Sequence, residues 1–238
     1  MRSGFEEALA AYIGEDNLLK IRGIKVGVAG AGGLGSNCAC HLARSGFRRF
    51  KIVDFDFVEY ANLNRQFYFA EQVGMPKVEA LKNNLRRINP DIEIEAVCER
   101  MTEKNAGSFF EDCDILVEAF DKPEAKRMLV EAYSDSGKLI VAVSGISGWG
   151  RSDDIKVRQV RRNLYLIGDG VSEACEETPP MSPRVNIAAA KQADVVLEAV
   201  LGGRTGQGLG AISRRTCTKP GAEDVAQGDF ERDGAFEG

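Results

Sequence analysis

The sequence predicts an α/β protein: a Rossmann-like, mostly parallel sheet with helices on both faces. Three observations lead there. Short β-branched runs alternate with amphipathic segments as far as Gly202, a glycine-rich loop joins the first such run to a helical segment, and an acid closes the second run.

In chain order, residues 5–21 are helical in character, with Gly14 breaking them into two pieces. Strands are expected at residues 24–29, 50–54, 92–97, 114–119 and 138–143, where apolar and β-branched side chains cluster between turn signals. The clearest helix carries Val78, Leu81, Leu85 and Ile88 on one face; Pro76 can start it and the Asn89-Pro90 pair can stop it. Further helices are expected at residues 36–45, 123–134 and 185–201. Beyond Gly202 glycine and charge dominate and few large apolar groups remain to offset chain ordering. Residues 1–202 therefore read as one domain and 203–238 as a disordered tail.

Composition fits one substantial core: 238 residues, 44% hydrophobic and 28% charged. Six cysteines without a CxxC pair, and no leader-like opening, point to reduced thiols in a cytoplasm. No apolar run approaches the roughly 18 to 20 residues that cross a bilayer, so no membrane partner is expected. A net charge of -5 with interspersed signs leaves no electrostatic footprint for nucleic acid. The basic runs at residues 48–51 and 158–162 read as solvated strand ends, the second also as a candidate contact for an acidic protein partner.

The strongest local signal is the loop Gly30-Ala31-Gly32-Gly33-Leu34-Gly35-Ser36 between a strand and a helix. Glycines there allow positive φ and close backbone approach, so a polyphosphate can meet free N–H groups and the positive end of the helix dipole. Asp54, at the end of the second strand, is placed to bond ribose hydroxyls. Together the two features indicate a nucleotide without saying which. The next stretch holds Asp56, Asn62, Asn64, Arg65 and Gln66, then Gly74-Met75-Pro76-Lys77. That density of polar and cationic groups suits a triphosphate better than a dinucleotide.

Here the sequence resembles the ThiF family of the ubiquitin-activating-enzyme-like superfamily. The resemblance covers approximately residues 20–201. It rests on the glycine loop, the D-x-D-x-V-E-x-x-N-L-N-R-Q block from Asp54 to Gln66, the G-x-P-K element ending at Lys77, and Asp121 after a buried strand. Ser144-Gly-Ile-Ser-Gly-Trp-Gly150 and Leu166-Ile-Gly-Asp-Gly170 resemble its shorter form, which lacks zinc-binding cysteines, so no zinc is expected. The resemblance implies an ATP- and magnesium-using adenylyltransferase acting on the C-terminal carboxylate of a small ubiquitin-like (ThiS-like) sulfur carrier in thiamine thiazole synthesis. It also implies a homodimer. Gly30, Gly32, Gly33 and Gly35 would cradle the nucleotide, Asp54 would hold the ribose, Arg65 and Lys77 the phosphates, and Asp121 magnesium. Asn62, Asn64 and Gln66 would shape the pocket, and Asp56 either assists the site or caps a turn.

The chemistry fits these residue types. A C-terminal carboxyl, with a reference pKa of roughly 3.3 to 3.7, is already an anion at neutral pH, so adenylation needs no general base. What it needs is alignment on the α-phosphorus and fixed positive charge. The single histidine, His41, falls inside a helix and reads as structural. Cys175 is the best-placed thiol to take over an activated carboxylate, although Glu173, Glu176 and Glu177 crowd it and work against an anionic nucleophile.

Longer family members open with an arginine-rich segment, for which only Arg2 and Arg22 stand as basic substitutes here. Residues 144–170 are the expected docking surface for the carrier. Two alternatives keep the fold: activation of a threonylcarbamoyl carboxylate on transfer RNA, and a non-catalytic nucleotide-binding module. The acidic charge argues against the first, and retention of Arg65, Lys77 and Asp121 together against the second.

Overall fold

A computed structural model describes residues 3–202. The expected tail, together with Arg2, lies outside the described residues. Helices α1 (Gly4–Ile13) and α2 (Glu15–Gly23) come first, and the break between them falls at Gly14, whose φ is 87°. The Ser3 side chain accepts from the Glu6 N–H to start α1. Then follow β1 (Lys25–Ala29), α3 (Gly33–Arg44), β2 (Arg49–Val53), α4 (Lys77–Ile88), β3 (Glu93–Val97) and α5 (Ala106–Phe109). The order continues with β4 (Ile115–Glu118), α6 (Pro123–Tyr133), β5 (Leu139–Val143), β6 (Lys156–Arg161), β7 (Leu164–Gly168) and α7 (Ser182–Leu201).

The seven strands form one sheet in the order β3-β2-β1-β4-β5-β7-β6, parallel throughout except for the antiparallel β6–β7 pair. From β1 the chain first builds outward through β2 and β3, then returns to place β4 on the other flank of β1. The switch point of this doubly wound sheet therefore lies between the carboxyl ends of β1 and β4, where such sheets leave a crevice for a ligand.

The central parallel strands β1, β4 and β5 are buried along their whole length because helices cover both faces of the sheet there, whereas β2 and the edge strand β3 carry exposed charged residues. On one face Val26, Val28, Ile52, Val117 and Val141 pack under α3, α4 and α7. On the other, Leu116 and Ile140 meet Phe110, Leu129 and Tyr133 of the α5–α6 layer. Phe47, Phe50 and Phe110 are fully buried, each stabilising the fold by roughly 1.5 to 3 kcal/mol relative to exposure.

The five expected strands and the expected helices are present, with ends shifted by a few residues. The β6–β7 hairpin and α5 were not anticipated. Every residue of β6 is exposed, so Lys-Val-Arg-Gln-Val-Arg presents no buried face to read. Residues 158–162 are the solvent-facing end of this edge strand and the first residue of its turn, as the reading of a solvated strand end expects.

Candidate functional site

The glycine loop leaves β1 at the switch point, and its glycines are fixed by close approach. Gly30 has φ 99°, and a Cβ there would stand 2.7 Å from the Ala119 carbonyl oxygen, just beyond β4. At Gly35 a Cβ would lie 1.8 Å from the Gly30 carbonyl, so any larger residue would push α3 off its own loop. At Gly33 it would meet Val185 of α7 at 2.9 Å. Sequence reasoning assigned these glycines to a ligand; in the structure Gly30, Gly33 and Gly35 are equally demanded by packing around the crevice.

Asp54 closes β2 beside this loop. One carboxylate oxygen accepts the Ala31 N–H at 2.6 Å and the other the Asp56 N–H at 2.8 Å. Burial pushes its pKa up, against the pull of those two N–H groups and of Lys77. A carboxylate offers about four lone-pair positions, so two remain for hydroxyl donors.

Lys77 opens α4 and is buried; its ammonium lies 2.9 Å from the Asp56 carboxylate, and its backbone N–H bonds the Asp56 carbonyl at 2.9 Å. Asp56 therefore holds a cation of the site as well as shaping the turn. Tyr68 joins the two sides: its buried hydroxyl donates to the Ala31 carbonyl at 2.6 Å and lies 3.2 Å from the Lys77 carbonyl.

Arg65 is partly buried, with its guanidinium on the Ala61 carbonyl at 3.1 Å and the Asn64 amide oxygen at 2.8 Å. Its own carbonyl accepts from Asn37 of α3 at 2.8 Å, which seats the N-L-N-R-Q block against the helix after the loop. Asn62 accepts the Glu59 N–H at 3.1 Å and so caps the short turn Tyr60–Asn62, while Asn64 reaches the Pro180 carbonyl at 3.5 Å. Gln66 is buried, and its amide nitrogen would be 3.9 Å from a Cβ on Gly32.

Asp121 is exposed, two residues past Ala119, on the loop that forms the β4 side of the crevice. Buried Glu118 holds the start of that loop by accepting the Phe120 N–H at 2.7 Å and the Lys126 ammonium at 3.2 Å. Burial pushes the Glu118 carboxyl up, against Lys126 and the Phe120 N–H. Gln192 of α7 spans the Glu118 and Val141 carbonyls at 2.9 and 3.0 Å. Glu118, Lys126 and Gln192 were missed by sequence reasoning because their partners lie on other elements. Tyr68 and Asn37 escaped for the same reason.

The predicted residues thus converge at the carboxyl end of the central strands: the glycine loop, Asp54, Asp56 and Lys77 in direct contact, Asn64 and Arg65 adjoining, and Asp121 on the opposing loop. Arg22 does not join them; it pairs with Glu6 at 3.5 Å. Cys175 is exposed between β7 and α7, its sulfur 3.0 Å from the Thr178 hydroxyl. His41 lies in α3, where burial, then Arg44, pushes its pKa down. Among the described residues no group of three or more His, Cys, Asp or Glu side chains could hold a metal unaided. No described helix is long and apolar enough to cross a membrane.

A second concavity, a recess of about 300 Å³, opens beside residues 147–151 and 169–172. Trp149, the only tryptophan in the chain, lines it and is 66% exposed. Asp169 builds one wall by accepting the Val171 and Ser172 N–H groups at 2.9 and 2.8 Å. Burial works against this carboxylate, but those N–H groups and Arg184 hold it below the usual range.

Sheet order and crevice together define a doubly wound, Rossmann-like α/β domain with its glycine loop at the switch point. The chain belongs to the ThiF family, whose model matches residues 5–205, within the ubiquitin-activating-enzyme-like superfamily. It is similar to an adenylyltransferase and sulfurtransferase of Candida glabrata, 30% identical over 190 residues, covering 77% of this chain and 44% of that protein. It is also similar to ubiquitin-like modifier-activating enzyme 5 of Xenopus laevis, 31% identical over 184 residues, covering 72% of this chain and 44% of that one. The chain spans less than half the length of these curated relatives. Among solved structures, E. coli tRNA N6-threonylcarbamoyladenosine dehydratase in complex with AMP matches with a TM-score of 0.76 at 19% identity, covering 84% of this chain and 95% of that chain. That likeness is one of fold.

Proposed function

We propose that the chain is an adenylyltransferase that uses ATP and magnesium to activate the C-terminal carboxylate of a small, ubiquitin-like sulfur-carrier protein. One observation carries the reading: a preformed glycine loop, a buried ribose-type acid and two cations, Lys77 and Arg65, meet at the switch point. Family membership and the adenylyltransferase names of its relatives support it.

The nucleophile arrives as an anion, so the work of the site is alignment and charge. Asp54 would take the ribose, the glycine loop and the first turn of α3 the phosphates, and Lys77 and Arg65 the charge that develops as pyrophosphate leaves. A magnesium ion is commonly held by one or two carboxylates plus substrate phosphates, and exposed Asp121 fits that modest requirement. When bound, such an ion neutralises phosphate charge. Residues 144–170, including the recess beside Trp149, would receive the carrier.

We place the protein in the cytoplasm, as a homodimer, with thiazole formation in thiamine synthesis as the pathway. A second reading, activation of a carboxylate on transfer RNA, draws support from the likeness to the dehydratase. The net charge of -5 and interspersed basic residues weigh against it.

Pyrophosphate exchange separates these readings. With ATP, magnesium and a small protein ending in Gly-Gly, exchange is expected, and Asp121→Ala or Arg65→Ala should abolish it while leaving the fold intact. Full exchange in both variants would overturn the site assignment. Exchange with transfer RNA alone would favour the second reading, and affinity for NAD with indifference to ATP would end both.

A further inference from the structure

We propose that Arg184 is the positioning residue for the second substrate, fixing the recess beside Trp149 and locking it to the nucleotide loop through a single turn of helix. The proposal rests on the adenylation reading above.

Arg184 is the third residue of α7 and only 4% exposed. One guanidinium nitrogen donates to the Gly150 carbonyl at 2.8 Å and the Arg151 carbonyl at 3.1 Å, and the other pairs with the Asp169 carboxylate. Its Nε is buried without a partner. Burying a guanidinium carries a desolvation penalty that an apolar side chain would avoid. Mere packing does not account for the choice.

What the guanidinium does is clamp two segments whose backbones are unusual. Gly148, Gly150 and Arg151 have φ of 75°, 69° and 46°, and Gly168 and Gly170 have φ of 137° and 76°. A non-glycine residue in the left-handed region persists where its surroundings over-determine it, and Arg151 is the only such residue among those described. Its carbonyl accepts from Arg184 at 3.1 Å and from the Asp154 N–H at 3.1 Å, and its own guanidinium pairs with Asp154 at 2.8 Å, so α7 and the following turn hold it together.

The same helical turn touches the nucleotide side. A Cβ on Gly33 would meet Val185 at 2.9 Å, and just before α7 the Pro180 carbonyl accepts from Asn64, the neighbour of Arg65. A displacement at Arg184 would therefore move the recess relative to the glycine loop. Ser147, Gly148 and Thr178 leave small side chains along the recess, and its volume suits a few residues of extended, glycine-rich chain. The occupant we assign is the carrier's C-terminal tail.

Trp149 makes this measurable without turnover. The full chain, Arg184→Gln, Arg184→Lys and Asp169→Asn would each be titrated with a synthetic peptide ending in Gly-Gly with a free carboxylate, following tryptophan emission. ATP binding would be measured on the same samples by calorimetry. The unaltered protein should respond to the peptide. Arg184→Gln should bind it at least tenfold more weakly with ATP affinity within twofold, and Arg184→Lys should recover part of the loss.

Should Arg184→Gln fail to fold, Asp169→Asn carries the test, because the amide oxygen can still accept the Val171 and Ser172 N–H groups while the ion pair is lost. Unchanged peptide affinity in these variants overturns the proposal. So does a parallel fall in peptide and ATP affinity, which a purely structural role would give, or an unaltered protein that binds ATP with no response to peptide. An unaltered protein that does not bind ATP sinks the adenylation reading itself, and this inference with it.

Discussion

Lys77 and Asp56 form an unequal pair: the ammonium is buried at the start of α4, while the carboxylate that holds it at 2.9 Å is 48% exposed. The cation is fixed and the anion is free to be displaced. An incoming phosphate must compete with one carboxylate for a lysine already aimed at the crevice.

Lys77→Ala is expected to weaken ATP binding at least tenfold, about 1.4 kcal/mol. Asp56→Asn should strengthen it severalfold by removing the competitor. Calorimetric titration of both variants with magnesium-ATP checks this; loss of affinity in Asp56→Asn would make Asp56 part of the nucleotide's own grip.

Gly35→Ala should destabilise the protein by several kcal/mol, since its Cβ would stand 1.8 Å from the Gly30 carbonyl and backbone must move. Gly107→Ala in α5, with nothing within 4 Å of the new Cβ, should be neutral or stabilise by up to about 1 kcal/mol. Urea unfolding of the two variants side by side makes the comparison, and equal midpoints would refute it.

Tyr68→Phe removes the donor to the Ala31 carbonyl and leaves that buried oxygen with its best partner gone. A cost of about 1 to 3 kcal/mol in unfolding free energy is expected. ATP affinity should fall too, because the hydroxyl joins the glycine loop to the helix that carries Lys77. A stable variant with unaltered ATP binding would show the link to be idle.

At the opposite end of the sheet Lys25 and Lys51 interlock with Glu95 and Asp112. The Lys25 hydrogen bond, then Lys51, holds the Asp112 pKa at about 2 against the effect of burial. Because the folded value lies below the ordinary 3.8, this group's stabilisation is present above that value and is lost as pH falls toward about 2. Asp112→Asn should therefore be less stable than the unaltered protein at neutral pH, with the gap closing between pH 4 and 2. The gap should also narrow in salt, since the carboxylate is half exposed. Denaturation midpoints across pH decide it, and a gap that stays constant would count against the pairing.

The legible part of the fold was the part whose side chains have one-dimensional signatures. Apolar parallel strands and the α4 stripe of Val78, Leu81 and Leu85 show in sequence because burial selects their residue types. The β6 strand escaped because nothing buries it. At the site, Asp54 was legible from its spacing after the glycine loop, and Arg65 and Lys77 through the family-like motifs that carry them; the structure gathers all three around the loop. Glu118, Gln192 and Tyr68 act through contacts 25 to 74 residues away in the chain, or through a backbone carbonyl, and neither leaves a pattern in the neighbouring residues.

The contacts that fix Gly30, Gly33 and Gly35 also say something about how the crevice would be filled. A cradle whose backbone is already settled by its own neighbours surrenders little freedom when a guest arrives, so association should carry a small ordering cost. Discrimination among nucleotides would then come from contour and charge rather than from a loop that must close.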